Sequence, residues 1–356
     1  MCTLIVLHRC VEGRPLVVAA NRDEFLDRPS ENFAVRSSKA GPILSPLDLE
    51  AGGTWVGLSQ RGVFAGLTNL RPLQSEKTPE KTEKSSGIAE SAAPVIAIKS
   101  RGDVVMAALE EESAADAVRK LSQLAEGIYN PFQLLVADGR DAYLIVYRDG
   151  PRLVELEPGP HIVGNVENEQ VAAQLGVAGL LADENEREHA AIKSGNKTEY
   201  PGFEGISVVS DVQEPRALKL TRIRERVEKM VTEADEDSRS DLFEGLARVC
   251  REHVDSEGTQ SPFEATCVHI TSKPSLYAEN GSSLENEAGS IRYGTRSSLL
   301  LELSEDPGSS RMWATDGPPC ERPFENRSSL LKDLGVRLGG WVGPETMRGR
   351  TVEKNR

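Results

Sequence analysis

Residues 3–24 read TLIVLHRCVEGRPLVVAANRDE, and this stretch decides how the chain begins to fold. The apolar run at 3–10 is rich in residues that favour extended backbone and predicts a strand. The sequence EGRP at 12–15 predicts a turn, and LVVAA at 16–20 predicts a second strand that runs into Asn-Arg-Asp-Glu. The chain is therefore expected to open with a β-hairpin that delivers four polar side chains directly after an apolar strand.

The same hairpin pattern recurs along the chain, with helices between the hairpins. Apolar runs bounded by turn residues predict further strands at 54–59, 63–69, 131–138, 142–149, 161–165, 264–272, 290–303 and 311–316. Helical periodicity predicts helices within 88–112, broken near the sequence SRGD, and at 114–126, 215–233 and 240–254. Strands joined without helical crossovers form antiparallel sheets. We therefore predict an α+β fold, in which two antiparallel sheets stack and helices cover both outer faces as a four-layer αββα sandwich.

The chain is interpreted as one domain over residues 1–343. The stretch at 73–86 has almost no apolar residue and is expected to be a mobile loop rather than a domain boundary. A second polar insertion at 277–289 separates two predicted strands, like the tip of a long hairpin. Residues 344–356 are expected to form a frayed tail.

Composition disfavours several classes of function. The 356 residues carry a net charge of −14, whereas general nucleic-acid binding or docking on anionic lipid by charge would require a basic surface. The sequence predicts neither a membrane span nor a signal peptide. Five cysteines without a Cys-x-x-Cys pair favour a reducing compartment, so we expect a cytoplasmic protein. Cys267 and His269 are too sparse to predict zinc and are interpreted as two residues of one strand.

Several polar residues with chemical potential stand at the ends of predicted strands. Besides Cys2 near the start of the first strand, they are Asn21, Arg22, Asp23, Glu24, Asn69 and Asn165. Read singly, each is better explained by a turn or a cap, but together they indicate a site built on rigid elements. Arg296 lies within a leucine-rich strand, so its charge must be paired with an acidic group or lie in a water-filled cavity. Asp23 is a candidate partner for it. The glycine-rich sequence GGTWVG at 52–57 permits close backbone approach to a ligand.

Six short motifs, taken in order, resemble a known family. They are MCT, ANRDE, GGTWVG, GLTN, YGTRSS and DGPPCE. Together they are similar to the NRDE family, which includes the transport and Golgi organization protein two homologues, over about residues 1–325. More distantly, this family resembles the N-terminal nucleophile hydrolases of the choloylglycine hydrolase and penicillin V acylase group. That resemblance implies the same αββα fold and a site that hydrolyses a non-peptide amide bond.

The resemblance also implies roles for single residues near the start of the chain. Cys2 matches the nucleophile, which becomes N-terminal when Met1 is removed. Arg22 and Asp23 match the arginine and aspartate that position the nucleophile, and they are adjacent here whereas the hydrolases space them further apart. A neighbouring guanidinium lowers the pKa of a thiol, and an α-amine can carry the thiol proton.

Three residues further along the chain complete the implied site. Asn69 and Asn165 match asparagines on the oxyanion side, and Arg296 matches an arginine late in the chain near the thiol. An amide N–H that donates to a developing oxyanion stabilises the tetrahedral intermediate. No cofactor or metal is required by this chemistry.

Two classes of function therefore stand side by side. The first is an amidohydrolase that acts on a small-molecule acyl amide through Cys2. The second is a non-catalytic protein that binds and moves haem, lipid or acyl-CoA, as the resemblance to trafficking proteins implies. Haem would then be a transported ligand, and His8 and His161 would be candidate axial ligands, although each is better explained as a strand residue. The oligomeric state is not indicated by the sequence.

Overall fold

The computed structural model describes residues 2–70, 98–166, 215–233, 239–253, 261–272 and 291–337. Within these residues the strands are β1 (Cys2–Val11), β2 (Arg14–Phe25), β3 (Ser30–Ser38), β4 (Gly41–Asp48), β5 (Val56–Ser59), β6 (Phe64–Asn69), β7 (Phe132–Ala137), β8 (Ala142–Tyr147), β9 (Pro151–Glu155), β10 (Gly159–Val163), β11 (His269–Ser272), β12 (Ile291–Leu303), β13 (Arg311–Asp316) and β14 (Glu325–Asn326). The α-helices are α1 (Gly102–Leu109), α2 (Ala114–Leu121), α3 (Pro215–Glu233), α4 (Arg239–Arg251) and α5 (Ser329–Leu334).

The strands form two antiparallel sheets of seven strands each. The first sheet has the order β10-β1-β2-β12-β13-β14. The short strand β11 pairs with the first four residues of β12, before the part of β12 that pairs with β13. The second sheet follows chain order from β3 to β9. The first sheet therefore places the N-terminal hairpin beside strands from the middle and the last third of the chain.

An apolar core fills the space between the two sheets. Successive side chains of a strand point to opposite faces, so every second residue of β1 and β2 enters this core. Fully buried examples are Leu4, Val6 and Val18 from the first sheet and Phe64 and Leu135 from the second. The intervening residues face outward and need a second layer to cover them.

Helices cover both outer faces. Ile5 and Val17 of the first sheet pack against Ile223 of α3 and Leu246 of α4. On the second sheet, α1 and α2 cover a separate apolar cluster around the strands β6, β7 and β8. Each sheet is thus apolar on both faces, and the layers follow in the order helix, sheet, sheet, helix. The predicted αββα sandwich is confirmed.

The N-terminal hairpin differs from the prediction in one respect that matters for the site. Asn-Arg-Asp-Glu lies inside β2 rather than after it, because β2 is paired with β1 as far as Arg22 and with β12 as far as Phe25. The two neighbouring strands satisfy the backbone of this polar segment. Its side chains consequently alternate between the two faces of the first sheet.

Other elements differ in their bounds. The strands β3 and β4 were not predicted, α2 is shorter than the predicted helix at 114–126, and the predicted strand at 264–272 begins only at His269. The sequence before β11 instead forms a short 3₁₀ turn over Pro262–Glu264 with a capping box from Ser261. The loops predicted at 73–86 and 277–289 and the tail at 344–356 lie outside the described residues. Among the described helices, none is long and apolar enough to cross a membrane.

Candidate active site

A cavity of about 660 Å³ lies where β1 begins and β2 ends. Of the predicted site residues, its lining contains Cys2, Arg22, Asp23, Asn69 and Arg296. Cys2 lies directly opposite Arg22 in the β1–β2 pairing. Asn165, the remaining predicted residue, contacts the backbone of Cys2. The fold therefore brings together residues that are up to about 290 positions apart in the sequence, because β12 and β10 flank the N-terminal hairpin.

Asn165 holds the backbone nitrogen of Cys2. The Cys2 N–H donates to Asn165 Oδ1 over 3.1 Å, and Asn165 Nδ2 donates to the backbone carbonyl of Asn69 over 2.6 Å. Asn165 is buried, so this bridge between the two sheets is shielded from water. In this arrangement Asn165 positions the nitrogen of the cysteine, and Asn69 takes part through its backbone oxygen.

The segment that carries Asn165 is itself fixed to the second sheet. The Gly164 carbonyl accepts hydrogen bonds from Thr68 Oγ1 at 2.6 Å and from Gln133 Nε2 at 2.8 Å. Both donors are buried, and both belong to the strands β6 and β7. The chain that leaves β10 is therefore clamped across the layers, which sets the position of Asn165 relative to Cys2.

Arg22 is a buried cation at the cavity. Its Nη2 lies 3.4 Å from Asp48 Oδ2 and 3.7 Å from Glu24 Oε2. Asp48 is shared with Arg28, whose Nε lies 2.7 Å from the same carboxylate oxygen. This pairing with Arg28, together with backbone N–H donors, keeps the pKa of Asp48 below its usual value although burial opposes the shift.

Arg296 reaches the cavity through an irregularity in β12. The pairing of β12 with β2 shifts between Thr295 and Ser297, so Arg296 is the extra residue of a β-bulge. Bulges redirect a side chain next to a site. The guanidinium lies 3.0 Å from Asp316 Oδ1, so the predicted pairing of Arg296 with Asp23 is wrong and Asp316 is the partner. Asp23 is engaged elsewhere, because the bulge places Thr295 beside it.

Asp23 belongs to a buried hydrogen-bond chain. Thr295 Oγ1 donates to Asp23 Oδ1 over 2.7 Å and accepts from the backbone N–H of Val268 over 2.9 Å. The Tyr293 hydroxyl donates to the backbone carbonyl of Asp23 over 3.0 Å. Burial raises the pKa of Asp23, while the positive charge of Lys219 opposes the shift. Asp23 is therefore held in one geometry by groups from β12 and from the segment before β11.

Two guanidinium nitrogens in the cavity lining are buried without a hydrogen-bond partner among the described residues. They are Arg22 Nη1 and Arg296 Nε. Buried polar groups are almost always paired in folded proteins, so such atoms call for an explanation. Donors of this kind suit an oxygen that carries or develops negative charge.

The thiol of Cys2 has a pKa above its ordinary value. Burial is the largest cause, and Asp23 adds to it, whereas Arg22 lowers the pKa by less than burial raises it. The predicted lowering by a neighbouring guanidinium is therefore outweighed, because Cys2 is only 7% exposed. Such a thiol needs a base that removes its proton before or during attack.

Several residues of the site were not anticipated from the sequence. Thr295 and Tyr293 lie in the motif YGTRSS, of which only Arg296 was predicted to be a site residue. Asp48 and Arg101 carried no such signal. Asp48 is the last residue of β4, a strand that was not predicted, and Arg101 directly precedes α1. Arg101 also lines the cavity, donates to the Pro131 carbonyl over 3.3 Å, and has a pKa lowered by burial.

The fold and the site define an αββα protein with a buried cysteine and two guanidinium groups at one edge of its stacked sheets. Residues 1–311 match the Transport and Golgi organisation 2 family, and the chain belongs to that family. The predicted family resemblance is thus confirmed.

Individual relatives and structures are similar to parts or all of the chain. The Transport and Golgi organization 2 homologs of Mus musculus and Homo sapiens are 32% identical over 160 residues and 34% identical over 158 residues. Each alignment covers 42% of this chain and 50% of the relative, so the chain spans about half the length of the curated relatives it matches.

Two solved structures are also similar. A mutant of the conjugated bile acid hydrolase from Clostridium perfringens has a TM-score of 0.45 and 9% identity, with 95% of each chain covered. Penicillin V acylase from Agrobacterium tumefaciens has a TM-score of 0.41 and 12% identity, with 88% of this chain and 86% of that chain covered.

Proposed function

We propose that this protein hydrolyses a carbon–nitrogen amide bond of a small molecule, with Cys2 as an N-terminal nucleophile. The observation that carries the proposal is the pairing of the Cys2 nitrogen with Asn165 beside the unsatisfied guanidinium donors of Arg22 and Arg296. The hydrogen bond to Asn165 positions the Cys2 nitrogen, which can act as a base. The two arginines supply N–H donors for an oxygen that develops negative charge. Both features occur in a cavity large enough for a small-molecule ligand.

Before any turnover, hydrolysis of the Met1–Cys2 peptide bond by an aminopeptidase removes Met1 and converts the backbone nitrogen of Cys2 into an α-amine. An α-amine has a pKa of about 7.7–8.0 and can accept the thiol proton near neutral pH. Its hydrogen bond to Asn165 Oδ1 leaves the nitrogen lone pair available to the thiol. This base answers the need created by the raised pKa of Cys2.

The thiolate then attacks the amide carbonyl, and a carbon–sulfur bond forms as the carbonyl π electrons move to oxygen. Guanidinium donors stabilise the resulting oxyanion. The carbon–nitrogen bond breaks as the α-ammonium returns its proton to the leaving amine, and a Cys2 thioester remains. Water, deprotonated by the same amine, hydrolyses the thioester to a carboxylic acid and regenerates the thiol.

The lining of the cavity suggests an amphiphilic substrate. Apolar and aromatic side chains share it with the charged groups, and they are Phe25, Leu47, Trp55, Leu67 and Ile98. Phe25 and Ile98 are 41% and 53% exposed, which is high for large apolar side chains. An apolar acyl group that covers them would be removed from water, while its amide meets the polar end of the cavity.

A parallel screen with three forms of the protein tests this proposal. Wild type, Cys2→Ser and Cys2→Ala are incubated with acyl p-nitroanilides of increasing chain length, and amine release is followed by absorbance. Ala and Ser at position 2 also permit removal of the initiator methionine, so all three chains begin alike. We expect turnover in wild type, weak turnover in Cys2→Ser and none in Cys2→Ala. Turnover that survives in Cys2→Ala would refute nucleophilic catalysis by Cys2.

Ligand binding without catalysis is the second candidate, and the arginines of the cavity favour it. Arg22 and Arg296 each keep one buried guanidinium nitrogen without a partner among the described residues, and such donors suit the carboxylates of haem or the phosphates of acyl-CoA. Neither His8 nor His161 is among the described residues of the lining, and His161 Nε2 lies 2.8 Å from the Glu157 carbonyl.

Titration of haem and of acyl-CoA into wild type and Cys2→Ala separates the two candidates. Axial ligation of haem in this cavity would fall to Cys2, so a thiolate absorption spectrum present only in wild type would support haem binding through the thiol. Equal binding of acyl-CoA by both forms, without turnover of any amide, would support the binding function over the enzyme.

A further inference from the structure

Four side chains from three separate segments of the chain converge outside the lining of the cavity just described. They are His253, Cys267, His269 and Cys320, and one ligand atom of each lies within 4.8 Å of every other. His253 follows α4, Cys267 and His269 flank the start of β11, and Cys320 lies in the turn after β13. The cluster therefore joins the helix layer to two separate parts of the first sheet.

Three of the four ligand atoms are spaced like one face of a coordination tetrahedron. Cys267 Sγ lies 3.5 Å from Cys320 Sγ, and His269 Nε2 lies 3.4 Å and 3.2 Å from the two sulfurs. Tetrahedral zinc with Zn–S of about 2.3 Å and Zn–N of about 2.0 Å implies edges of about 3.8 Å between sulfurs and about 3.5 Å between sulfur and nitrogen. These three distances are slightly shorter than the tetrahedral edges, and the His253 ligand atom lies within 4.8 Å of each of the other three.

We propose that His253, Cys267, His269 and Cys320 form a structural zinc site of the Cys₂His₂ type. Two thiolates and two imidazoles are a donor set that favours zinc over harder cations such as calcium and magnesium. Four protein ligands fill a tetrahedral sphere, so the ion serves structure and has no open position for substrate. Binding of Zn²⁺ releases the two thiol protons to solvent and oxidises nothing.

The surroundings of His269 support this assignment. Its Nε2 faces the two sulfurs, whereas Nδ1 lies 3.8 Å from Glu321 Oε1. A carboxylate next to the second ring nitrogen of a metal-bound histidine fixes the tautomer that binds the metal. The rings of His253 and His269 are 5.0 Å apart between centroids, which brings both imidazoles to the same side of the cluster.

The site accounts for two features of the sequence that the candidate active site leaves unexplained, although Asp316 of the motif DGPPCE pairs with Arg296 there. The motif DGPPCE contributes Cys320, and the pair Cys267 and His269, interpreted from the sequence as ordinary strand residues, contributes two ligands. Val268 lies between those two and donates its N–H to Thr295, which holds Asp23. Zinc would thus fix the segment before β11 against β12 and indirectly support the position of Asp23.

The test measures metal in the full-length protein kept under reducing conditions. Chain purified after addition of ZnCl₂ is dialysed and analysed for bound zinc, and Co²⁺ is exchanged into the site for spectroscopy. We expect one zinc per chain and the visible absorption of tetrahedral, thiolate-bound cobalt. Zinc below one-tenth of an equivalent in a folded wild-type chain, or an octahedral cobalt spectrum, would overturn the proposal.

Variants assign the ligands. Cys320→Ser lies in a turn and is expected to fold, yet to weaken zinc affinity by at least about a hundredfold, while Glu321→Gln weakens it by roughly tenfold because it alters only an outer contact. Cys10→Ser, a half-buried cysteine outside the cluster, is the matched control and keeps the zinc. Unchanged affinity in Cys320→Ser, or a Cys267–Cys320 disulfide in place of bound zinc, would contradict the assignment.

Discussion

At the scale of single residues, Thr295 determines how Asp23 is held. One hydroxyl donates to the carboxylate and accepts from the Val268 N–H, so it satisfies two buried groups at once. Asp23 is 1% exposed, and a buried carboxylate that loses a donor has no water to replace it. The geometry of the candidate site therefore depends on a residue that the sequence did not single out.

Replacing Thr295 by valine should expose this dependence. Thr295→Val keeps the shape but leaves Asp23 Oδ1 and the Val268 N–H without that partner, so we expect the free energy of unfolding to fall by about 2–4 kcal/mol. Thr295→Ser keeps the hydroxyl and should lose about 1 kcal/mol or less. Urea denaturation of both variants measures the difference. Equal stability of the valine and serine variants would show that the hydroxyl contributes nothing.

The buried side chain of His8 makes the free energy of unfolding depend on pH. It is 1% exposed, and burial, followed by the charge of Arg9, lowers its pKa to about 4. The unfolded chain binds a proton near pH 6.5, so between these values the unfolded state holds more protons and stability falls as the pH falls. The loss attributable to His8 is absent above about pH 6.5 and reaches about 3 kcal/mol near pH 4.

A variant isolates this contribution from that of the other histidines. His8→Leu should lose less stability than wild type between pH 7 and pH 5, as measured by urea denaturation at each pH. His161, whose pKa is also lowered by burial, remains in both proteins and cancels in the comparison. An identical pH dependence for the two proteins would mean that His8 has the same pKa in the folded and the unfolded chain, and would contradict this account.

At the scale of elements, α1 approaches the second sheet through glycine. A Cβ added to Gly53 would lie 2.8 Å from the Gly102 Cα, and both residues line the cavity. From the sequence, the glycines of GGTWVG were expected to permit close approach of a ligand. In the structure Gly53 permits close approach of the backbone at the start of α1.

Gly53→Ala should therefore destabilise the fold locally. The added methyl group meets backbone rather than a flexible side chain, so α1 must shift, and we expect a loss of about 1–3 kcal/mol in the free energy of unfolding. Gly150→Ala is the control, because its Cβ would meet only the side chain of Glu126 at 3.1 Å. Calorimetry that finds the two variants equally stable would contradict this account of the contact.

Elements with a clear apolar pattern were predicted well, and those with mixed polarity were not. The strands β1, β7 and β12 carry long apolar runs and were predicted nearly at their observed bounds. The sequence of β3, SENFAVRSS, has exposed polar residues because it forms the edge of its sheet, so its pattern resembles a loop. The bulge at Arg296 depends on pairing with β2, which no local pattern encodes.

At the scale of the whole molecule, the layers explain why distant residues share one site. Cys2, Arg22 and Arg296 meet because β1, β2 and β12 are neighbours in the first sheet, and Asn165 joins them from the end of β10. The predicted αββα stacking was sufficient to anticipate a shared edge. It could not assign partners, since the pairing of Arg296 with Asp316 rather than Asp23 follows from the bulge.

The most direct test of the central claim is an intact-mass measurement of the protein during acyl transfer. Wild type and Cys2→Ala are mixed with p-nitrophenyl hexanoate and quenched in acid, and their intact masses are measured by mass spectrometry. The account predicts that both chains lack Met1 and that only wild type gains one hexanoyl group, which hydroxylamine removes and which maps to Cys2. Retention of Met1 in wild type, or equal acylation of the two proteins, would contradict Cys2 as an N-terminal nucleophile.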